Sequence, residues 1–183
     1  MKQHAAQTVE FGDFQTPLEL AHECCRVIFE AFGNPHTVIE PTCGQGAFLI
    51  AAASQFDCQS IVGYEINPQY RRNARRRLDS IDTEINWHVH ERDFFACDWS
   101  HDRSGRVGPV LYLGNPPWVT NSQMGVLGGR NLPSKANLSG LRGIEALTGR
   151  SNFDIAESIL QTLLRAMRPD DTLAMLVKTS TAR

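Results

Sequence analysis

Very little in this sequence is extreme, and each absence excludes something. Long hydrophobic runs are missing: the longest, Ala47 to Ala53, has seven residues, far short of the roughly 18 a membrane-spanning helix needs. The N-terminal stretch MKQHAAQTVEFGDF has no apolar segment of the kind a secretory signal carries. No charge of one sign prevails. The 18 basic and 20 acidic residues leave a net charge of −2, which gives no global pull toward nucleic acid or anionic lipid. Lysine is scarce, since 15 of the basic residues are arginine; that suits bidentate contacts to phosphates or bases, although arginine-rich genomes produce the same bias. The five cysteines, Cys24, Cys25, Cys43, Cys58 and Cys97, are odd in number and show no C-x-x-C spacing. They point to a reducing compartment and to no structural zinc. The expectation is a cytoplasmic protein with no membrane segment and no metal.

What is present fits one domain. A chain of 183 residues, 42% hydrophobic and 21% charged, can bury a core without disulfide or metal support. Strand-like and helix-like segments alternate, the pattern of an α/β parallel sheet. Thr16-Pro17-Leu18-Glu19 is expected to open a helix, with Thr16 as cap and Glu19 completing a capping box, and Gly33-Asn34-Pro35 to stop it. Strands are expected at 37–40, 60–65, 85–90, 110–114 and 172–178. Helices are expected from Ala47, from Asn67-Pro68 and over 153–167. Residues 120–150 read as a 31-residue loop with six glycines, in which Arg130, Lys135, Arg142 and Arg150 outnumber Glu145. Loops of that length are usually functional or disordered, and ordering on nucleic acid is one reading of it.

Four constellations carry chemistry. The first is Glu40-Pro41-Thr42-Cys43-Gly44-Gln45-Gly46, where a strand ends in a glycine-rich turn. Gly44 and Gly46 allow close backbone approach to a ligand, outside the carboxyl end of a strand where open α/β sheets bind ligands. Taken alone it reads equally as a plain strand–helix turn, because position 49 is Leu and the G-x-G-x-x-G spacing is absent. The second is Glu65-Ile66-Asn67, an acidic strand end 19 residues after Gly46, suited to ribose hydroxyls or simply to water. The third is Asp93-Phe94, suited to an adenine amine and ring, or to a loop start followed by core aromatics.

The fourth is the sharpest: Gly114-Asn115-Pro116-Pro117-Trp118 after an apolar strand. Two prolines cannot extend a ladder. They fix a turn in which the Asn115 amide and the Pro116 carbonyl present two acceptors beside the Trp118 face, which suits a planar base with an exocyclic amine. Two other features read as bland. Arg71, Arg72, Arg75, Arg76 and Arg77 are taken as a solvated helix face, and His88 with His90 as a half-exposed strand face.

In this order the motifs resemble those of the amino-group DNA methyltransferases that use S-adenosylmethionine, of the N6-adenine type and γ-like motif order. Asn115-Pro116-Pro117-Trp118 is similar to the catalytic N-P-P-[YFW] motif, and Glu40 through Gly46 to the cofactor motif. Cys43, with Thr42, departs there from the commoner small residues. Phe11 to Pro17 is similar to the segment that covers the methionine end, and Asp154 opens a helix similar to a later cofactor-pocket helix. The resemblance implies a Rossmann-like class I methyltransferase fold, a mostly parallel sheet with helices on both faces. It implies Asn115, Pro116, Pro117 and Trp118 as the catalytic set. Thr16, Glu40, Pro41, Cys43, Gly44, Gly46, Glu65, Ile66, Asp93, Phe94 and Asn115 are implied as contacts for S-adenosylmethionine. Double-stranded DNA with a flipped adenine is the implied partner, in DNA methylation of the restriction–modification kind. A protein glutamine or an RNA would present its nitrogen to the same motif, and a non-catalytic cofactor-binding fragment would share it. The resemblance also implies seven strands, of which the sequence supplies five. The expectation is therefore the N-terminal part of a longer enzyme, or one completed by another chain, with an exposed apolar row of Leu173, Met175 and Val177 and no separate target-recognition domain.

Overall fold

A computed structural model describes residues 15–118 and 155–179 of the chain. The elements, in order, are α1 (Leu18–Phe32), β1 (Thr37–Glu40), α2 (Ala47–Gln55), β2 (Ser60–Glu65), α3 (Pro68–Asp79), β3 (Asn86–Glu91), a 3-10 turn (Phe94–Ala96), α4 (Trp99–Ser104), β4 (Val110–Gly114), α5 (Ile155–Ala166) and β5 (Thr172–Met175). The strands form one sheet in the order β3-β2-β1-β4-β5. Every pairing is parallel, so each strand needs a crossover to reach the next.

Alternation along the strands divides the core in two. Val38, Ile61, Val89, Leu111 and Leu113 point to one face, where they meet Ala21 and Cys25 of α1, Phe48 to Ala52 of α2 and Leu78 of α3. Ile39, Val62, Tyr64, Val110 and Tyr112 point to the other, against Phe94, Trp99 of α4 and Ile155, Ile159 and Leu163 of α5. The three central strands are buried on both faces, as parallel strands are, which is why they read as unbroken apolar runs. β1 is the switch point: β2 lies on one side and β4 on the other. The carboxyl ends of β1 and β4 therefore open side by side.

Several expectations are corrected. α1 begins where expected, but Pro17 occupies its N-cap position with no side-chain cap, so the Thr16–Glu19 capping box does not form. β3 starts one residue later than expected, because the Ile85 amide donates to Thr83 Oγ1 in the preceding turn. β5 ends at Met175 instead of Lys178, although the Leu176 amide still donates to the Gly114 carbonyl. Leu173 and Met175 are half-buried against the second core and not an open row. The 3-10 turn and α4 were not anticipated, being too short and too polar for a period to show. Residues 11–14, the 120–150 segment and Asp154 lie outside the described residues.

Candidate active site

The glycine turn after β1 is built by its own backbone and by neighbours. Gly44 and Gly46 adopt φ of 51° and 79°, a region that side-chain-bearing residues avoid. A Cβ on Gly46 would come within 3.0 Å of Ala74 Cβ on α3, so the second glycine also sets how closely α3 approaches. Pro41 is buried. The Cys43 amide donates to the Tyr64 carbonyl at 2.9 Å. Cys43 itself is 4% exposed and packs inward, its Sγ 2.9 Å from where a Cβ on Gly63 would lie. What Cys43 can offer a ligand is main chain, and burial, reinforced by Glu40 and Glu65, pushes its thiol well above the usual range.

Gln45 between the glycines is held from three sides. Its amide donates to Gln15 Oε1 at 3.3 Å, its carbonyl accepts from Arg77 at 3.0 Å, and its side-chain oxygen accepts from Asn73 at 3.3 Å. Arg77 therefore braces the turn and is not simply solvated. Arg71 pairs with Glu91 at 2.5 Å, and Arg72 donates to Gln69. The sequence held no local sign of the bonds made by Arg77 and Arg71, because Gln45 and Glu91 lie far along the chain; of the three, Arg72 alone bonds within its own helix.

Glu65, at the end of β2, is buried. Its two oxygens accept the amides of Gly44 at 2.8 Å and Asn67 at 2.6 Å. It ties the glycine turn to the start of α3, where Asn67 caps the helix through Gln69 and Tyr70. Hydrogen bonds to a charged group contribute about 1.5–3 kcal/mol, so Glu65→Ala is expected to destabilise the ligand-free fold by about that much. Urea unfolding measures it, and an unchanged midpoint would contradict the tie. Ile66 is half-buried beside it.

Glu40 is 3% exposed at the end of β1. The Leu49 backbone N–H in the first turn of α2 donates to its carboxyl, but burial, then the nearby Glu65, push its pKa well above the ordinary value. Its Oε2 is buried with no hydrogen-bond partner. A raised folded pKa means the folded state holds the proton more tightly than the unfolded one. Stability from this group is thus fullest below about pH 4.5 and falls as pH rises from there through the folded pKa. Glu40→Gln is expected to raise the melting temperature at pH 7, with the gain fading toward acid pH. A variant less stable than wild type at pH 7 would refute this.

The end of β4 lies against Glu40: a Cβ on Gly114 would sit 3.4 Å from Glu40 Cγ. Asn115 follows directly. Its Nδ2 donates to Thr16 Oγ1 at 3.2 Å, while its Oδ1 is buried and unpartnered. Pro116 is buried and Pro117 half-buried. The half-buried Trp118 donates from Nε1 to the Leu176 carbonyl at 3.3 Å, and Lys178 donates to the Trp118 carbonyl at 3.1 Å.

Beyond β3, Asp93 Oδ1 accepts the Phe95 amide and caps the 3-10 turn. Phe94 is 4% exposed and stacks on Trp99 with ring centroids 4.8 Å apart. The ring expected to face adenine is thus in the core, and half-buried Phe95 is the aromatic beside Asp93 that keeps some exposure. His88 and His90 stand 4.4 Å apart on β3, with His90 against Tyr64. No cluster of metal-ligating side chains occurs among the described residues, and no described helix is long and apolar enough to cross a membrane.

The structure therefore gathers Glu40, the glycine turn and Glu65 at one place, with Gly114 against Glu40 and the Asn115–Thr16 pair following it. Two of the buried side-chain oxygens there, Glu40 Oε2 and Asn115 Oδ1, lack partners. Buried polar atoms are normally paired, so these two stand out as acceptors that a hydrogen-bond donor or a positive charge could meet.

Comparison with known proteins agrees with a methyltransferase. No protein-family model matches the chain. The Type II methyltransferase M.NspV of Nostoc sp. is 42% identical over 177 residues, which is 96% of this chain and 37% of that protein. The Type II methyltransferase M.CvrRI of Paramecium bursaria Chlorella virus XZ-6E is 32% identical over 111 residues, 60% of this chain and 25% of its own length. The chain thus spans well under half of these curated relatives. A Listeria monocytogenes structure, described as a class I S-adenosylmethionine-dependent methyltransferase, superposes with a TM-score of 0.62 at 14% identity. The match covers 93% of this chain and 48% of that one. The fold is that Rossmann-like class I fold.

Proposed function

The chain belongs, by homology along 96% of its length, with the Type II methyltransferases, of whose M.NspV representative it spans 37%, and from that premise we propose that it carries the methyl-transfer site of an enzyme acting on the N6 amino group of adenine in DNA. S-adenosylmethionine is the methyl donor in this reading and supplies, when bound, an electrophilic methyl group on a sulfonium. The residues present fit a cationic ligand of that kind. Glu40 offers a buried carboxylate oxygen without a partner. The Gly44–Gly46 turn offers main chain unobstructed by side chains, with Glu65, Ile66 and Asp93 at the neighbouring strand ends.

The observation that carries the reading is Asn115, whose buried Oδ1 has no partner while its Nδ2 is engaged. An exocyclic amine is a weak nucleophile, because its lone pair is delocalised into the ring. Asn115 Oδ1 and the Pro116 carbonyl would accept its two N–H bonds and hold the nitrogen in a more tetrahedral shape. Neither group is basic enough to take the amine proton beforehand, so their contribution is orientation and electrostatic stabilisation. The nitrogen lone pair would form the new C–N bond as the methyl–sulfur bond breaks to a neutral thioether. The methylated amine, now cationic and strongly acidic, would lose its proton to water. No covalent intermediate is required, in keeping with the inward packing of Cys43. Reaching the site costs the base a few kcal/mol of unstacking and unpairing. Stacking on Trp118, about 1–3 kcal/mol per base, offsets part of that.

DNA is favoured as acceptor by this base-shaped corner and by the basic excess of residues 120–150 that follows it, read here as a substrate-side loop of one catalytic unit. Further chain or a partner would supply target recognition, and the reaction belongs in the cytoplasm. The test incubates the intact protein with methyl-labelled S-adenosylmethionine and, separately, DNA, RNA and protein extract. Label in DNA, recovered as N6-methyladenine after digestion, is the expected result. Label recovered only in RNA, in protein glutamine or on another base would overturn it.

A further inference from the structure

Thr16 lies 99 residues before Asn115, yet the two side chains meet. Sequence reasoning gave the hydroxyl to the cap of α1, and the family resemblance gave Thr16 to the cofactor; the structure denies it the cap. Pro17 takes the N-cap position with extended backbone, and no side chain caps the helix. A residue before proline is itself biased to an extended backbone, so the Thr-Pro pair presents the hydroxyl outside the helix. Next to it, Gln15 accepts the Gln45 amide of the glycine turn. One dipeptide thus touches both the glycine turn and the Asn-Pro-Pro-Trp turn.

Resting on the reading of Asn115 given above, we infer that Thr16 is a positioning residue that fixes the plane and rotamer of the Asn115 amide. The amide of an asparagine carries an acceptor on one side and two donors on the other. A target amine needs the acceptor; a rotated amide would meet it with N–H groups and repel it. The Thr16 hydroxyl takes the Nδ2 donor at 3.2 Å, and with that side engaged the buried, unpartnered Oδ1 is the group left to the substrate. A hydroxyl can also donate, so the bond sets the amide's plane, while the incoming amine selects its oxygen. Thr16 touches neither reacting atom in this role.

The test compares Thr16→Val, which keeps the shape and removes the hydroxyl, with Thr16→Ser, which restores the hydroxyl. It is run in the intact protein, on whichever acceptor the wild type labels. A misplaced reacting group costs on the order of 100-fold, so kcat of the Val variant is expected to fall about 10- to 100-fold. The KM and calorimetric Kd for S-adenosylmethionine should change by less than kcat does, and the Ser variant should recover most of kcat. In the cofactor-free protein, the Asn115 side-chain amide signals in a nitrogen–proton NMR spectrum, identified by their loss in Asn115→Ala, should exchange faster in the Val variant only. A rise in KM and Kd with kcat unchanged would place Thr16 against the cofactor and overturn the inference. So would a Ser variant as impaired as Val, or unaltered amide exchange in the Val variant. If the wild type labels RNA or protein instead of DNA, the adenine reading falls while the kcat comparison still judges Thr16. If it labels nothing, the amide exchange alone decides.

Discussion

Asn115→Ala is expected to lower methyl transfer by about 1000-fold, the upper range for removing one preorganised hydrogen-bonding group from a reaction centre. Affinity for S-adenosylmethionine should remain close to wild type. The reason is local. Asn115 lies one residue beyond β4; among the described residues its Nδ2 donates to Thr16 Oγ1, and its Oδ1 is buried without a partner. The glycine turn is held instead by hydrogen bonds with Glu65, Gln15, Asn73 and Arg77. Truncation should thus remove the acceptor and leave the turn in place. The measurement pairs a single-turnover methylation assay with calorimetry of cofactor binding. A fully active variant would defeat the mechanism, and a variant that no longer binds cofactor would make Asn115 chiefly the cofactor contact that the resemblance also implies.

The largest loss of stability is expected at the opposite end of the sheet. Arg103 of α4 and Asp171 before β5 form a bidentate pair at 2.6 and 2.7 Å, with side chains 1% and 0% exposed. Asp171 also accepts the amides of Val110 and Arg168, and Arg103 donates to the carbonyls of Arg106 and Gly108. Each Asp171 oxygen accepts twice and four of the five guanidinium N–H groups of Arg103 donate, close to the condition under which a buried pair holds. Asp171→Ala leaves a buried guanidinium uncompensated, which costs about 3–5 kcal/mol.

The pH dependence follows from the direction of the shift. Burial opposes ionisation of Asp171, but Arg103 and the two amides outweigh it and hold the carboxyl below the ordinary value of 3.8. A depressed folded pKa gives stability that is present above the unfolded pKa and lost as pH falls through the folded one. The gap between wild type and Asp171→Ala in urea unfolding should be full at neutral pH and shrink below about pH 4. A gap independent of pH would show that packing, and not charge, is what Asp171 supplies.

The strand ends were legible because the chemistry announces itself there. Apolar runs stop at Glu40-Pro41, Glu65-Ile66-Asn67 and Asn115-Pro116, and the parallel order follows from the intervening helices. What stayed hidden depends on partners remote in sequence. Arg103 and Asp171 are 68 residues apart, and α4, which carries Arg103, is six residues long and mostly polar, too short for a period to show. Cys43 looked like a departure at a ligand-facing position, because nothing local says that it fills the notch over Gly63. A signal existed in Gly63 itself, a glycine inside an otherwise apolar strand, which often marks a close approach. Phe94 and Phe95 are indistinguishable as adjacent letters, and only the position of Trp99 decides which ring goes inward. Thr16 was assigned by its local motif, and a contact across the fold took its hydroxyl.

The bonds that join Trp118 to the strand beside it bear on how the protein fails. Leu176 donates to Gly114 and accepts from Trp118, and Lys178 closes over the Trp118 carbonyl. Among the described strands β5 is paired on one side only, and none of its residues is fully buried. Such a strand has a low free energy of local opening. Because the Asn-Pro-Pro-Trp turn shares its hydrogen bonds, turn and strand are expected to open as one cooperative unit while β1, β2 and their helices stay folded. Amide exchange at Leu176 and loss of methyl transfer on warming should therefore run together, and both should precede the global transition.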